Sequence, residues 1–266
     1  MTAASPPTIA DILDALAETT GSLDGVLATL PPQDWHRPTG CPRWDVEDVV
    51  SHIIGLEDQL AGLPDPDHEL PEGLDHGMEG DTRRFEIQVD SRRATAPEEI
   101  LRQFRSSTAR GLERRRSDDT APDDVVDGPF GTRMPYWRLL TLRTFDCFAH
   151  EQDIRRAVGR PGNLDGKAAA IVADFVARAL TGLLPRRLDG LDGRGVVIEV
   201  VSDVGASFRR ITVGDAANDP VTTLIISFGD LIAFACGRAD ADEQHVGVHG
   251  DPDVAGQVLA ALGFTP

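Results

Sequence analysis

The pattern of apolar residues changes in kind near Arg160-Pro161-Gly162, and this change divides the chain of 266 residues into two parts. Before it, apolar side chains recur at steps of three and four residues, which is the spacing of amphipathic helices. After it, runs of β-branched residues appear between glycines, which indicates strands. We therefore expect an α+β protein, with a helical domain over residues 1–163 and a smaller sheet domain over residues 164–266.

The first part contains strong helix signals. Asp45, with Asp48 three residues later, has the arrangement of a capping box. Pro31-Pro32 ends the segment before it, and Gly159 ends the last one. The predicted helices are Thr8–Leu30, a helix that begins after Asp45 and ends before Pro64, Thr82–Arg93, Pro97–Arg116 and Pro135–Val158. The polar segment Ser117–Arg133 is expected to be a loop.

The second part alternates helices and strands. A helix is predicted over Asp165–Leu184, and a final helix over Pro252–Leu262. The elements predicted between them are the strands Gly195–Val201, Ser207–Val213 and Val221–Ser227, the short helix Gly229–Cys236 and a short strand at Val246–Val248. This order is typical of a small sheet covered by helices.

Charge and cysteine usage exclude several classes of function. The chain has 44 acidic and 26 basic residues and a formal net charge of −18. A nucleic-acid partner or an anionic membrane surface would require a basic face, and the longest basic run is Arg114–Arg116. No apolar stretch reaches about 18 residues, and the N-terminus lacks a basic signal region. Three widely spaced cysteines without a CxxC pair favour a reducing cytoplasm.

Three residues of types that ligate metals fall on predicted bundle helices. His52 borders the apolar stripe of its helix, and Asp146 and His150 lie four residues apart on another. Residues at this spacing share one helix face, about 5–6 Å apart. Ionisable groups on an apolar stripe are costly to bury unless they are paired or bind a metal. A simple Asp146–His150 hydrogen bond is the alternative interpretation.

Three N/O ligands with an open fourth position are the pattern of a catalytic zinc site, and facing helices of a bundle commonly supply them. Such an ion lowers the pKa of a bound water or thiol and so generates a nucleophile near neutral pH. Two imidazoles and a carboxylate suit Zn, Fe, Ni or Mn, and we expect zinc. Asp153, one turn from His150, is a candidate hydrogen-bond acceptor behind the ligand.

Two segments around these residues resemble a known family. DWHRPTGCPRWDVEDVVSHI is similar to the N-terminal region of the mycothiol-dependent maleylpyruvate isomerase family, and FDCFAHEQDIRRAVGRPG to its second metal-binding segment. The resemblance implies a DinB-like four-helix metal bundle followed by a sterol-carrier-like α+β domain. It also implies ligands at His52 and His150, while Asp146 stands where the family has the longer Glu.

The resemblance further implies that mycothiol, the small thiol of actinobacteria, is the cosubstrate. The reaction would be isomerisation of a maleylpyruvate-like substrate or transfer of the thiol to another small electrophile. Arg238, in FACGRAD, and Arg84 or its neighbour Arg83, in DTRRFE, resemble arginines that the family turns toward the metal cleft. There they would bind substrate carboxylates, and Arg238 would also bind the cosubstrate. A solvated surface arginine is the alternative for each.

Two other functions stay open at this point. A metal-dependent hydrolase would hold hydroxide at the open position and would need no thiol. A non-catalytic binding or regulatory protein would keep the bundle only as a scaffold, and the exchange of Glu for Asp146 makes this a real alternative. Cys41 is either a reactive thiol or a packed loop residue, and Cys147 is expected to lie in the core.

Overall fold

A computed structural model of the chain describes residues 7–74, 80–188, 195–202, 207–215, 220–238 and 245–265. The chain forms two compact units, Met1–Asn163 and Leu164–Pro266. The first consists mainly of helices, and the second combines helices with a four-stranded sheet. The predicted α+β class is confirmed.

Within its described residues, the N-terminal unit has five α-helices. They are α1 (Ile9–Leu27), α2 (Val46–Leu60), α3 (Gly80–Asp90), α4 (Pro97–Arg116) and α5 (Tyr136–Ala157). Helix α2 begins at the predicted capping box, in which Asp45 accepts from the backbone of Asp48 and Asp48 accepts from the backbone of Asp45. A second capping box, between Thr8 and Asp11, begins α1. Each box satisfies N–H groups that the helix leaves without a partner.

Helix α2 is the central element of this unit. It packs against α3, α4 and α5, while α1 packs against α4 and α5. Every residue from Val46 to Gly55 is buried, so α2 has almost no solvent face along its first two and a half turns. A polar side chain in this stretch must therefore find its partners inside the protein.

The prediction that Ser117–Arg133 is a loop is wrong in part, because this segment contains most of a small hairpin. Strands β1 (Val125–Asp127) and β2 (Arg133–Pro135) pair antiparallel, with a 3-10 turn over Pro129–Gly131 between them. Strands of three residues are too short to show an alternating pattern in the sequence, which explains why the prediction missed them.

The C-terminal unit follows the predicted order of elements. These are α6 (Lys167–Arg187), β3 (Val196–Val201), β4 (Ser207–Val213), β5 (Thr222–Ser227), α7 (Phe228–Ala235), β6 (Gly247–Gly250) and α8 (Pro252–Ala261). The strands lie in the order β4-β3-β5-β6. The β3–β5 pair is parallel, and the two outer pairs are antiparallel.

Among the described helices, α6 alone is long and apolar enough to cross a membrane by length and composition. Core helices of folded domains meet the same criterion. Its buried side chains, Ala168, Val172, Val176, Leu180 and Leu184 among them, recur at helical spacing. The helix packs against β4 and α8.

Candidate metal centre

The three predicted ligands converge between α2 and α5. Asp146 Oδ1 lies 3.7 Å from His52 Nε2 and 3.6 Å from His150 Nε2. One ligand atom from each residue lies within 4.8 Å of the other two. The rings of His52 and His150 face each other edge-on, with centroids 4.9 Å apart. Residues almost a hundred positions apart in the sequence thus surround one point in the bundle.

These distances suit a small divalent ion. Tetrahedral zinc with ligands at 2.0–2.1 Å places its ligand atoms roughly 3.3 Å apart, a few tenths of an ångström less than is seen between Asp146 and the imidazoles. Two imidazole nitrogens and one carboxylate oxygen are also a common catalytic donor set. The residues therefore fit the metal that the sequence predicts.

The surroundings of His52 also point to a bound ligand. Its side chain is buried, and Nδ1 has no hydrogen-bond partner in the part of the chain that the structure describes. Nε2 is 3.7 Å from Asp146, which is longer than a normal hydrogen bond. A buried imidazole with no close hydrogen bond is costly, and coordination of a metal through Nε2 would offset part of that cost.

The protonation states of two ligands are those that metal binding requires. Burial lowers the pKa of His52 to about 4, so its ring is neutral near pH 7. Burial acts to raise the pKa of Asp146, but Arg143 and the two histidines hold it well below its usual range. A neutral imidazole and an ionised carboxylate can both donate lone pairs without first releasing a proton.

A buried ion-pair network holds Asp146 in place. Arg143 donates to Asp146 Oδ2, to Glu57 Oε1 (2.8 Å) and to the carbonyl of Ile53 (3.2 Å). Arg115 donates to the other oxygen of Glu57 at 2.8 Å. With Oδ2 bound by Arg143, Asp146 presents Oδ1 to the imidazoles. This network was not predicted from the sequence, where the available signal was an arginine within the largely apolar stretch before Asp146.

His150 uses its other nitrogen to contact Asp153. Nδ1 lies 3.1 Å from Asp153 Oδ2, and both side chains are buried. A carboxylate at Nδ1 favours the tautomer with its proton there, which leaves the Nε2 lone pair free for a metal. Cys41 joins His150 and Asp153 in a second group of possible ligands within 4.8 Å of one another. His150 therefore has a different carboxylate near each ring nitrogen, with Asp153 at Nδ1 and Asp146 at Nε2.

Aromatic rings surround the imidazoles. The Trp44 ring centroid lies 4.9 Å from that of His52 and 6.3 Å from that of His150. Phe85 of α3 meets His52 edge-on at 5.1 Å. Trp44 Nε1 donates to the buried Glu86 at 3.1 Å, which fixes the indole over the site. Sequence analysis did not place Trp44 or Phe85 at the site.

The predicted arginines lie in different settings. Arg84 is exposed and pairs with Asp65 at 3.1 Å, and Arg83 is also exposed. Arg238 is buried in the C-terminal unit and donates to the carbonyl of Cys236 at 2.9 Å. Their roles toward substrate and thiol stay predictions. Cys147 is a core residue, as predicted, and burial raises its pKa to about 12.

Two buried groups on α2 give the stability of the metal-free chain a testable pH dependence. The pKa of His52 is about 4, below its usual 6.5. The unfolded chain therefore binds a proton at His52 more readily than the folded chain does, and the free energy of unfolding decreases as pH falls from 6.5 to 4. Burial raises the pKa of Glu47 from 4.5 to about 7, so the contribution of Glu47 is lost as pH rises through that range. The two effects oppose each other.

The variant Glu47→Gln is therefore expected to reveal the effect of His52. Between pH 4.5 and 6.5, its free energy of unfolding should rise more steeply with pH than that of the wild type. Urea denaturation with a chelator present measures this difference. Parallel pH profiles for the two proteins would show that Glu47 does not titrate in this range.

Comparison with known proteins supplies the family. Two solved structures match with a TM-score of 0.61 and 14% identity, covering 91% of this chain and 93% of theirs. They are the mycothiol-dependent maleylpyruvate isomerase and a mutant of it with a histidine replaced by alanine, and they share the fold with this chain. No curated protein matches. The family model for the mycothiol maleylpyruvate isomerase N-terminal domain matches residues 16–155, more than half of the chain, and the chain therefore belongs to that family.

Proposed function

We propose that this chain is a metal- and mycothiol-dependent enzyme that acts on a small electrophile, as an isomerase of the maleylpyruvate type or as a thiol S-transferase. The observation that carries the proposal is the convergence of His52, Asp146 and His150 in a member of this family. The lack of a close hydrogen bond to the buried His52 ring supports it.

Different residues at this site are proposed to bind the metal, to orient its ligands and to provide an apolar environment. His52, Asp146 and His150 would hold the ion, which when bound supplies a positive charge that lowers the pKa of a thiol or water next to it. Arg143 fixes the orientation of Asp146, and Asp153 fixes that of His150. Trp44 and Phe85 keep the imidazoles in an apolar environment, where electrostatic interactions are stronger than in water.

The cosubstrate and substrate contacts are part of the same proposal. Mycothiol provides the sulfur nucleophile, and Arg238 and Arg84 are the candidates to bind carboxylates of the substrate or the thiol. We propose zinc as the ion, because two imidazoles and a carboxylate are a common catalytic zinc donor set. We propose the cytoplasm as the location, because the three cysteines are buried and form no disulfide.

The test is an assay of the purified full chain with zinc and mycothiol. Maleylpyruvate and a panel of other small electrophiles serve as substrates. An isomerase returns the thiol unchanged, whereas an S-transferase consumes one thiol for each product. Turnover without thiol would instead favour the hydrolase. No turnover, no bound metal and an unchanged melting temperature with zinc would favour a non-catalytic scaffold.

The contact between Asp153 and His150 yields a separate prediction. Replacing Asp153 by alanine removes the acceptor at Nδ1 and frees the imidazole to rotate or change tautomer. Such partners of metal-binding histidines typically change metal affinity by about 10–100-fold. We expect a loss in this range for zinc, measured by competition with a chelator, and a partial recovery in Asp153→Asn. Unchanged affinity in the alanine variant would show that Asp153 does not orient the ligand.

A further inference from the structure

A line of aromatic rings leads from His52 toward the protein surface. Phe85 meets His52 edge-on with centroids 5.1 Å apart, and Phe130 meets Phe85 edge-on at 6.2 Å. Exposure rises along this line, from 5% for His52, through the half-buried Phe85, to 54% for Phe130. Within the N-terminal unit, a line of contacting rings therefore runs from the candidate metal centre to an exposed phenylalanine.

The backbone holds Phe130 in a conformation that a bulky residue rarely adopts. Its φ is 55° and its ψ is 33°, in the left-handed region, at the tip of the β1–β2 hairpin. The turn is closed by a hydrogen bond from the Gly128 N–H to the Thr132 carbonyl (2.8 Å) and one from the Thr132 N–H to the Pro129 carbonyl (3.1 Å). Glycine or asparagine would fit this position with less strain. Strained positions of this kind concentrate at ligand and active sites.

Two arginines of the N-terminal unit near the candidate metal centre already have carboxylate partners. Arg143 is already bound by Glu57 and Asp146, and Arg93, which lies on the other side of Glu86, is bound by three carboxylates. An uncharged molecule needs no unpaired arginine for binding, and a planar ring can pack against the phenylalanine rings.

We propose that the substrate of this site is an uncharged electrophile with an aromatic group, and that Phe130 and Phe85 bind its ring. This inference rests on the proposed function and selects its S-transferase form. In the reaction with an aryl halide, the thiol sulfur forms a bond to the ring carbon. The carbon–halogen bond breaks, the halide leaves with the bonding electrons, and the thiol proton passes to solvent.

The first test compares two uncharged electrophiles that differ in the ring. The zinc-loaded full chain and mycothiol are assayed with 1-chloro-2,4-dinitrobenzene and with iodoacetamide. In Phe130→Gly, which removes the ring and relieves the backbone strain, kcat/KM should fall about fivefold to tenfold for the aromatic substrate alone. Phe130→Tyr should restore it. Val125→Ser, an exposed apolar position on the same hairpin, should change neither value.

Equal losses for both substrates, or no loss for either, would overturn the inference. A second measurement does not depend on turnover. The unreactive ring compound 1,3-dinitrobenzene should quench the tryptophan fluorescence saturably, since Trp44 lies 4.9 Å from His52. Phe130→Gly should weaken this binding about fivefold, and Val125→Ser should leave it unchanged.

The two measurements distinguish an error in the proposed reaction from an error in the proposed aromatic subsite. If no electrophile consumes thiol but the ring compound binds at Phe130, the proposed reaction is wrong and the aromatic subsite stands. If the wild type does not bind the compound, or binds it equally well without the Phe130 ring, the subsite is wrong even when the enzyme is active.

Discussion

Replacing His52 by alanine is expected to lower zinc affinity by more than about a hundredfold and to abolish any thiol-dependent turnover. The reason is that His52 is one of the three proposed side-chain ligands, and even residues that only orient such ligands change affinity by about 10–100-fold. The measurement is the metal content of the purified variant, together with competition against a chelator of known affinity.

The matched control is Cys41→Ala. Both Cys41 and His52 lie near His150, but they belong to different groups of possible ligands. If His52, Asp146 and His150 bind the ion, Cys41→Ala keeps full zinc binding. His249→Ala, at an exposed position on β6, should also have no effect. Loss of zinc in Cys41→Ala and its retention in His52→Ala would assign the ion to Cys41, His150 and Asp153 instead.

The second large effect is on stability. Arg143→Met should lower the free energy of unfolding of the metal-free protein by about 3–5 kcal/mol, because it leaves the buried charge of Glu57 and the half-buried charge of Asp146 without this partner. Burial acts to raise the pKa of Glu57, but Arg143 and Arg115 hold it below its usual range, so Glu57 is charged in the wild type and the substitution removes one of its two cationic partners. Urea denaturation with a chelator present measures the loss.

An exposed ion pair serves as the control for this prediction. Arg102 pairs with Glu99 three residues away on the surface of α4, and Arg102→Met should leave the free energy of unfolding almost unchanged. Equal stabilities of the two variants would mean that the Glu57–Arg143–Asp146 network does not stabilise the bundle. Zinc binding by Arg143→Met then reports separately whether Arg143 orients Asp146.

Local signals in the sequence were sufficient for most of the fold. The capping box at Asp45 fixed the beginning of α2, and Pro97 with two acidic residues after it fixed the beginning of α4. The spacing of Asp146 and His150 placed both on one face of α5 because the helical period is local. The convergence of His52 with this pair was predicted from the chemistry of the three residues together with the family resemblance, since no local pattern relates α2 to α5.

The parts that escaped prediction depend on long-range contacts. Glu57 and Arg143 are 86 residues apart, and a buried ion pair leaves no periodic trace in the sequence. Trp44 stacks near His52 only because the loop before α2 folds back, and Cys41 meets His150 for the same reason. Phe130 lies in a hairpin whose strands are three residues long. Each of these features becomes visible only when the helices are packed together.

Substitution of cobalt for zinc would distinguish the proposed ligands by spectroscopy, because a cobalt–sulfur bond gives a charge-transfer band in the near ultraviolet. With ligands from His52, Asp146 and His150, Co²⁺ alone should show no such band, and mycothiol should produce it at the open coordination position. The same result is expected for Cys41→Ala. A band that is present before mycothiol and lost in Cys41→Ala would show that Cys41 is a ligand. No band after mycothiol is added would show that the thiol does not bind the ion.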